Sequence, residues 1–272
     1  MKYATIQGVA VPALGLGTWE LRGESCTDAV EHALSLGYRH LDTAQGYDNE
    51  AFVGEGLAKA GVPRDEVFLV TKVRPDNFRR DRVLSSTRES LAKLRTDYVD
   101  LLLMHWPNPE VPLEETLGAF MELRDGGAVR HIGVSNFPSK LVDEAQAVTR
   151  IFANQVEYHP YLGQSTLLEQ ARAQDYLLTA YSPIAQGKVL DDPVLAEIGA
   201  AHGKNPVQVC LRWLVQQDQV AAIPKAGSAG NRVGNFDIFD FELSADEMTR
   251  IFALGRGERL VAPEDGPDWD QA

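Results

Sequence analysis

Val67-Phe68-Leu69-Val70-Thr71-Lys72-Val73, Asp81 to Leu94, and Tyr98-Val99-Asp100-Leu101-Leu102-Leu103-Met104 form a strand–helix–strand unit. The last of these runs is almost continuously apolar, the pattern of a strand covered on both faces. Between the two strand-like runs, Val83, Leu84, Leu91 and Leu94 recur at helical spacing and mark one buried face. The alternation continues in both directions. Upstream lie a strand at Leu14-Gly15-Leu16-Gly17-Thr18, a helix from Ser25 to Leu36 stopped by Gly37, a strand at Arg39-His40-Leu41-Asp42, and a helix from Asn49 or Glu50 to Gly61. Val9-Ala10-Val11, after Gly8, reads as half of an N-terminal hairpin.

Downstream the pattern predicts helices at 113–124, 140–149, 167–174, 194–202 and 206–217, and strands at 129–134, 152–156, 177–180 and 220–223. A last helix follows Ser244, which forms a capping box with Glu247. The Gly-, Pro- and Asp-rich tail from Arg256 reads as loop. Eight strands over 272 residues give about 34 residues per strand–helix unit, the period of an α/β (β/α)8 TIM barrel. The expected architecture is that barrel, with an N-terminal β-hairpin and a C-terminal loop over the barrel mouth. No linker or composition shift divides the chain, so residues 1–272 are expected to form a single domain. No G-x-G-x-x-G follows the first strand and no Walker A sequence is present, which argues against Rossmann and P-loop chains.

Composition sets the outer limits. The chain is 44% hydrophobic and 24% charged, which excludes disordered and low-complexity classes. Lys+Arg is 26 against Asp+Glu 39, a formal charge of −13 that disfavours nucleic acid and anionic lipid as partners. Two cysteines, Cys26 and Cys210, make no disulfide framework and fit a reducing compartment. No window approaches 18 apolar residues, so no membrane span is expected. Gln7, Gly8 and Pro12 interrupt the weak apolar run at the start, so a cytoplasmic protein without a targeting segment is expected.

Active sites of such barrels lie at the C-terminal strand ends. Asp42 ends the second strand, with Tyr47 in the loop after it. Lys72 ends the third, and His105 the fourth, followed by Trp106. An ammonium beside a phenol favours the phenolate and lowers the tyrosine pKa. Asp42 is expected to pair with Lys72, Tyr47 to act as a general acid with a pKa nearer neutrality, and His105 to orient a carbonyl oxygen. This set protonates a developing alkoxide, but it lacks an evident nucleophile and a hydride donor. Each residue also has a bland reading as a structural ion pair or core histidine; it is their coincidence at three consecutive strand ends that favours catalysis.

These residues resemble the aldo-keto reductase family. Gly37-Tyr38-Arg39-His40-Leu41-Asp42-Thr43-Ala44-Gln45-Gly46-Tyr47-Asp48-Asn49-Glu50 resembles its first signature. Val70-Thr71-Lys72 and Leu103-Met104-His105-Trp106-Pro107 resemble the segments carrying the catalytic lysine and histidine. Gly133-Val134-Ser135-Asn136-Phe137, Asn154 to Pro160, Tyr181-Ser182-Pro183 and Ile223-Pro224-Lys225 are similar to the later ones, in the right order along nearly the whole chain. Within the family, the short bacterial branch of 2,5-diketo-D-gluconate and methylglyoxal reductases is most similar. In particular, Arg259-Leu260-Val261-Ala262-Pro263-Glu264 with Pro267-Asp268-Trp269-Asp270 resembles the ending of its type B member.

The resemblance implies a catalytic tetrad of Asp42, Tyr47, Lys72 and His105, and NADPH (NADP+) as the cofactor across the barrel top. Ser135, Asn136 and Gln155 are implied at the nicotinamide carboxamide, Tyr181 stacked on its ring, and Ser182 and Gly187 at the pyrophosphate. Lys225 is implied at the 2′-phosphate, with Ser228 and Arg232 as helpers and Asn235 closing the segment. This segment departs from the family: Ala226 replaces a serine, and Arg232-Val233-Gly234-Asn235 lacks the usual glutamate and sets Arg232 one residue out of register. The alternative for Arg232 is an ordinary exposed arginine.

Trp19, Phe52, Trp106 and Trp269 are the expected walls of a substrate pocket for a small carbonyl compound. Phe52 reads equally well as helix packing. Arg74, where many relatives carry tryptophan, is expected either to favour anionic substrates or to be a solvated loop charge. The expected function is NADPH-dependent reduction of aldehydes and ketones, such as methylglyoxal or 2,5-diketo-D-gluconate, by a monomer. A non-catalytic NADPH-binding barrel acting as a sensor or channel-associated subunit is the alternative. A metal-dependent hydrolase is disfavoured because the six histidines include no closely spaced pair, and no metal is expected.

Overall fold

The computed structural model describes residues 1–264 and 266–270. An antiparallel hairpin, β1 (Tyr3–Ile6) and β2 (Val9–Pro12), opens the chain. Gln7 and Gly8 both take positive φ, 51° and 82°, the conformation a two-residue turn between twisted strands requires.

Eight parallel strands follow: β3 (Leu16–Gly17), β4 (His40–Asp42), β5 (Phe68–Val73), β6 (Val99–Met104), β7 (Val129–Ser135), β8 (Ala153–Glu157), β9 (Leu177–Tyr181) and β10 (Val220–Ala222). Each pairs with its sequence neighbour, in the order β10-β9-β8-β7-β6-β5-β4-β3. The two ends meet through parallel bridges Leu14↔Ala222 and Gly17↔Lys225. The Gly15 amide donates to Ala222 O (2.9 Å) and the Gly17 amide to Pro224 O (3.2 Å). The first strand is thus shorter than the expected Leu14–Thr18 because Gly15 to Gly17 curve round the seam.

Helices α1 (Gly23–Leu36), α2 (Glu50–Ala60), α3 (Arg80–Leu94), α4 (Leu113–Asp125), α5 (Ser139–Val148) and α6 (Ser165–Gln174) cover the sheet outside. They are followed by α7 (Pro193–His202), α8 (Pro206–Gln216), α9 (Ala229–Phe236) and α10 (Ala245–Phe252). Helix α9 was not expected, since Gly230, Asn231, Gly234 and Asn235 are poor helix formers. Tertiary contacts supply what propensity lacks: Phe236 packs on Tyr38 at 4.8 Å, and the Gln208 amide donates to Gly234 O at 3.2 Å. The Ser244–Glu247 capping box of α10 is present as read.

Two cores result. The larger lies between sheet and helices; the smaller fills the barrel interior with Phe68, Val70, Leu101, Leu103, Ala153, Leu177 and Ala221 and is plugged by Ile6 and Val11 of the hairpin. Side chains alternate along a strand. Phe68, Val70 and Lys72 therefore share one direction, and so do Leu101, Leu103 and His105. The apolar members fill the lower layers, and the polar members form the layer at the C-terminal mouth. Gly133 makes room in this interior, because a Cβ there would lie 2.6 Å from Leu103 Cδ2.

Gly17 is the tightest point of the seam: an added Cβ would lie 2.5 Å from the Ile223 carbonyl oxygen. Gly17→Ala is expected to lower stability by about 1–3 kcal/mol through overpacking. Gly118→Ala, with open space on α4, is expected to raise it by about 0.5–1 kcal/mol. Urea unfolding of both variants checks the closure of the ring.

Candidate active site

The mouth of the barrel opens into a cavity of about 710 Å³. Its floor carries Asp42, Tyr47, His105, Ser135, Asn136, Gln155 and Tyr181. Asp42, Ser135 and Tyr181 end their strands, His105 and Asn136 directly follow theirs, and Gln155 lies in the middle of β8. Tyr47 comes from a 3₁₀ turn, Gln45–Tyr47, fixed from several sides. Gln45 Oε1 accepts from the Arg74 amide (3.2 Å) and Asn77 Nδ2 (3.1 Å). Asn49 accepts from Thr43 Oγ1 and donates to the carbonyls of Thr18 and Leu21.

Lys72 is fully buried, and its three ammonium hydrogens have three acceptors. Nζ lies 2.5 Å from Asp42 Oδ1, 2.9 Å from Thr43 O and 3.2 Å from the Tyr47 hydroxyl. The second Asp42 oxygen accepts from Gln155 Nε2 at 2.7 Å. His105 stands edge-on to the Tyr47 ring at 5.6 Å between centroids.

Burial acts against the Lys72 ammonium, but Asp42 and Tyr47 beside it outweigh burial and hold its pKa above the ordinary value. Burial pushes the Tyr47 phenol up, further than the neighbouring ammonium pulls it down. This corrects the expected pKa nearer neutrality: without a substrate the phenol is held protonated. Burial, with the cations Lys72 and Arg74, pushes His105 down to about 3, so its ring is neutral at pH 7. The cluster therefore presents a protonated phenol, a fixed cation behind it and a neutral imidazole beside it. That arrangement can donate a proton to an oxygen in the cavity and stabilise the phenolate left behind.

The residues expected at a nicotinamide form a hydrogen-bonded chain. Ser135 Oγ donates to Gln155 O (2.8 Å), Asn136 Nδ2 donates to His105 O (2.9 Å), and the Tyr181 hydroxyl donates to Asn136 Oδ1 (2.7 Å). Gln155 thus supports Asp42 as well as lining the cavity, a role the sequence did not suggest. Ser182 (φ 46°) and Gly187 (φ 93°) line the cavity in the turn after β9. Lys225 also lines it, 3.1 Å from Glu20 Oε2.

Three other expected residues are employed elsewhere. The Ser228 hydroxyl accepts from the Asn231 amide as the N-cap of α9. Arg232 is buried, which corrects the surface alternative. Its Nη1 donates to Ala226 O and Gly227 O, both at 2.9 Å, and its Nε to His32 Nδ1 at 3.0 Å. Asn235 is buried in α9. None of the three is among the described residues lining the cavity.

Of the expected pocket walls, Trp19 and Trp106 line the cavity, and Trp269 stands edge-on to Trp106 at 6.2 Å. Phe52 packs against the large core instead, as a residue of α2. Arg74 is half-exposed, 3.8 Å from Asp76, and outside the described lining. The C-terminal tail reaches the mouth because buried Glu157 holds it, accepting from the amides of Leu260 (2.8 Å) and Val261 (3.0 Å). Asp270 accepts from the Ser139 amide and hydroxyl at the start of α5. Glu157 and Glu20 were not singled out in the sequence. A strand-ending glutamate and an acid beside Trp19 were the available signals, but neither names its partner. Among the described residues, no group of three or more His, Cys, Asp or Glu could hold a metal ion.

The aldo/keto reductase family profile matches residues 13–256. Methylglyoxal reductase DkgB of Escherichia coli O157:H7 is 42% identical over 268 residues, covering 96% of this chain and all of that protein. A crystal structure whose own assignment as a 2,5-diketo-D-gluconic acid reductase B is provisional superposes with a TM-score of 0.97 at 48% identity. The match covers 100% of this chain and 98% of that one. An aldo-keto reductase from Bombyx mori in complex with NADP gives 0.91 at 31% identity, covering 98% and 97%.

The His105 environment has a pH consequence. The unfolded chain takes up a proton near pH 6.5, while the folded chain does so near 3. Stability contributed by this group is complete above pH 6.5 and is lost as pH falls toward 3. His105→Gln is expected to remove that part of the acid sensitivity, and the wild-type His105 imidazole to stay neutral from pH 5 to 8 by NMR titration.

Proposed function

The chain belongs to the aldo/keto reductase family, and on that premise we propose that Tyr47, Lys72, Asp42 and His105 are its catalytic residues. It is an NADP(H)-dependent oxidoreductase that reduces carbonyl compounds. The observation that carries the assignment of residues is Lys72 Nζ, held between Asp42 Oδ1 at 2.5 Å and the Tyr47 hydroxyl at 3.2 Å, below a cavity that His105 also lines.

The cavity suits the cofactor. Polar side chains of Ser135, Asn136 and Gln155 line it together with the Tyr181 ring, and so does the Lys225 cation. Ser135, Asn136 and Gln155 would hold the carboxamide, Tyr181 the ring, Ser182 and Gly187 the pyrophosphate, and Lys225 the 2′-phosphate. Bound NADPH supplies a hydride to the carbonyl carbon. Tyr47 gives its proton to the carbonyl oxygen as negative charge develops there. Lys72 stabilises the resulting phenolate, and Asp42 with Gln155 keeps the lysine charged and aimed. Neutral His105 donates a hydrogen bond that orients the carbonyl oxygen without competing as an acid.

Trp19, Trp106 and the Trp269 tail leave space for a small, partly polar carbonyl compound. The relatives' names supply the class: 2-oxoaldehydes such as methylglyoxal and keto sugar acids such as 2,5-diketo-D-gluconate. Arg74 on the rim would favour anionic members of that class. The continuous eight-stranded ring supports reading residues 1–272 as one domain. We take the protein as a cytoplasmic monomer that does not bind nucleic acid. No helix among the described residues is long and apolar enough to cross a membrane. The alternative of a catalytically silent nucleotide sensor finds no support in relatives that carry reductase names.

NADPH oxidation with methylglyoxal, wild type beside Tyr47→Phe, tests the mechanism. The variant is expected to lose about 10²–10⁴-fold in kcat while keeping its affinity for NADP+. Equal turnover by both proteins would remove Tyr47 from the role of acid.

A further inference from the structure

Among the described residues lining the cavity, Lys225 is the one lysine or arginine. Its ammonium is not free: Glu20 Oε2 lies 3.1 Å away, and both side chains are about half-exposed. Glu20 follows Trp19 in the loop after β3, and Lys225 follows β10. The seam of the barrel, bridged at Gly17↔Lys225, brings the two loops together. Two carboxylates line the cavity, Asp42 and Glu20. Asp42 is neutralised by Lys72; Glu20 faces whatever anion approaches Lys225.

The nearest other cation in sequence, Arg232, cannot reinforce the site as it stands. Its guanidinium is buried under α9 and bonded to Ala226 O, Gly227 O and His32. Those bonds hold the backbone immediately after Lys225, so withdrawing them would open the loop that carries the lysine. A single ammonium shared with a carboxylate is a weak recognition element for a phosphate dianion. The dianion must displace Glu20 from Lys225 or lie beside it against like-charge repulsion. A ribose 2′-hydroxyl has the opposite relation to Glu20, because it can donate a hydrogen bond to the carboxylate, the logic by which acidic residues favour unphosphorylated dinucleotides in other folds.

We infer that Glu20 is a cofactor-specificity residue that weakens the preference of this site for a 2′-phosphate. This rests on the assignment of Lys225 to the 2′-phosphate. The pair is exposed, so its influence is modest and falls with salt.

The test is calorimetric binding of 2′,5′-ADP and 5′-ADP to wild type, Glu20→Gln and Lys225→Met, which separates recognition from turnover. Wild type is expected to favour 2′,5′-ADP over 5′-ADP. Glu20→Gln is expected to tighten 2′,5′-ADP by about three- to fivefold while leaving 5′-ADP unimproved, and the gain should shrink in high salt. Lys225→Met is expected to weaken 2′,5′-ADP alone. If Lys225→Met loses nothing, the phosphate assignment fails and takes the inference with it. If Lys225→Met behaves as expected but Glu20→Gln shifts both ligands equally or neither, the role of Glu20 alone is overturned.

Discussion

A lysine ammonium and an aspartate carboxylate, both removed from water, form the constraint on which the mouth of this barrel is built. Taking each ion out of water costs several kcal/mol, and mutual attraction recovers that only when the remaining donors and lone pairs are also satisfied. Here they are. Lys72 spends its hydrogens on Asp42, Thr43 O and Tyr47, and Asp42 takes a further bond from Gln155. The partners come from β4, β5 and β8 and from the turn after β4. A slip of one residue in any of these strands would turn its member away from the interior. The ion pair and the register of the barrel therefore specify each other, and the reactive phenol is fixed by the same bonds.

The rest of the cavity is layered on that unit. Asn136 joins the backbone at His105 to the Tyr181 hydroxyl, so the imidazole and the ring expected to face a nicotinamide share one support. The apolar layers below, closed by Ile6 and Val11, keep water from entering behind Lys72. Above, Glu157 clamps the tail. Burial opposes its charge, but the His159 side chain and the amides of Leu260 and Val261 outweigh burial and hold its carboxyl below the ordinary value. Site chemistry and fold stability thus draw on the same buried polar network.

Some features were legible because they are local. The Gly37 and Gly61 helix stops, the Ser244 capping box and the polar residues at or beside the ends of β4, β5 and β6 follow from spacing and residue type alone. Others depend on partners distant in sequence. Helix α9 forms despite its glycines because Tyr38 and Gln208 meet it. Arg232 reads as a phosphate ligand or a surface residue until His32, Ala226 and Gly227 are seen around its guanidinium. Phe52 read equally well as pocket wall or core, and only the packing of α2 decides for core. The phenol of Tyr47 shows the same limit in electrostatics: adjacency to a lysine predicts a downward shift, whereas the extent of burial decides the net direction.

By itself, then, the sequence determined the order of strands and helices, the barrel period and the residue types at the strand ends. These are encoded in alternation, helical spacing and caps, interactions that span a few residues. Tertiary structure decided which of those residues share hydrogen bonds, how far each charge is removed from water, and that Glu20 meets Lys225 across the closing seam. Those properties arise between segments as far apart as residues 20 and 225, and only closure of the ring sets their distances.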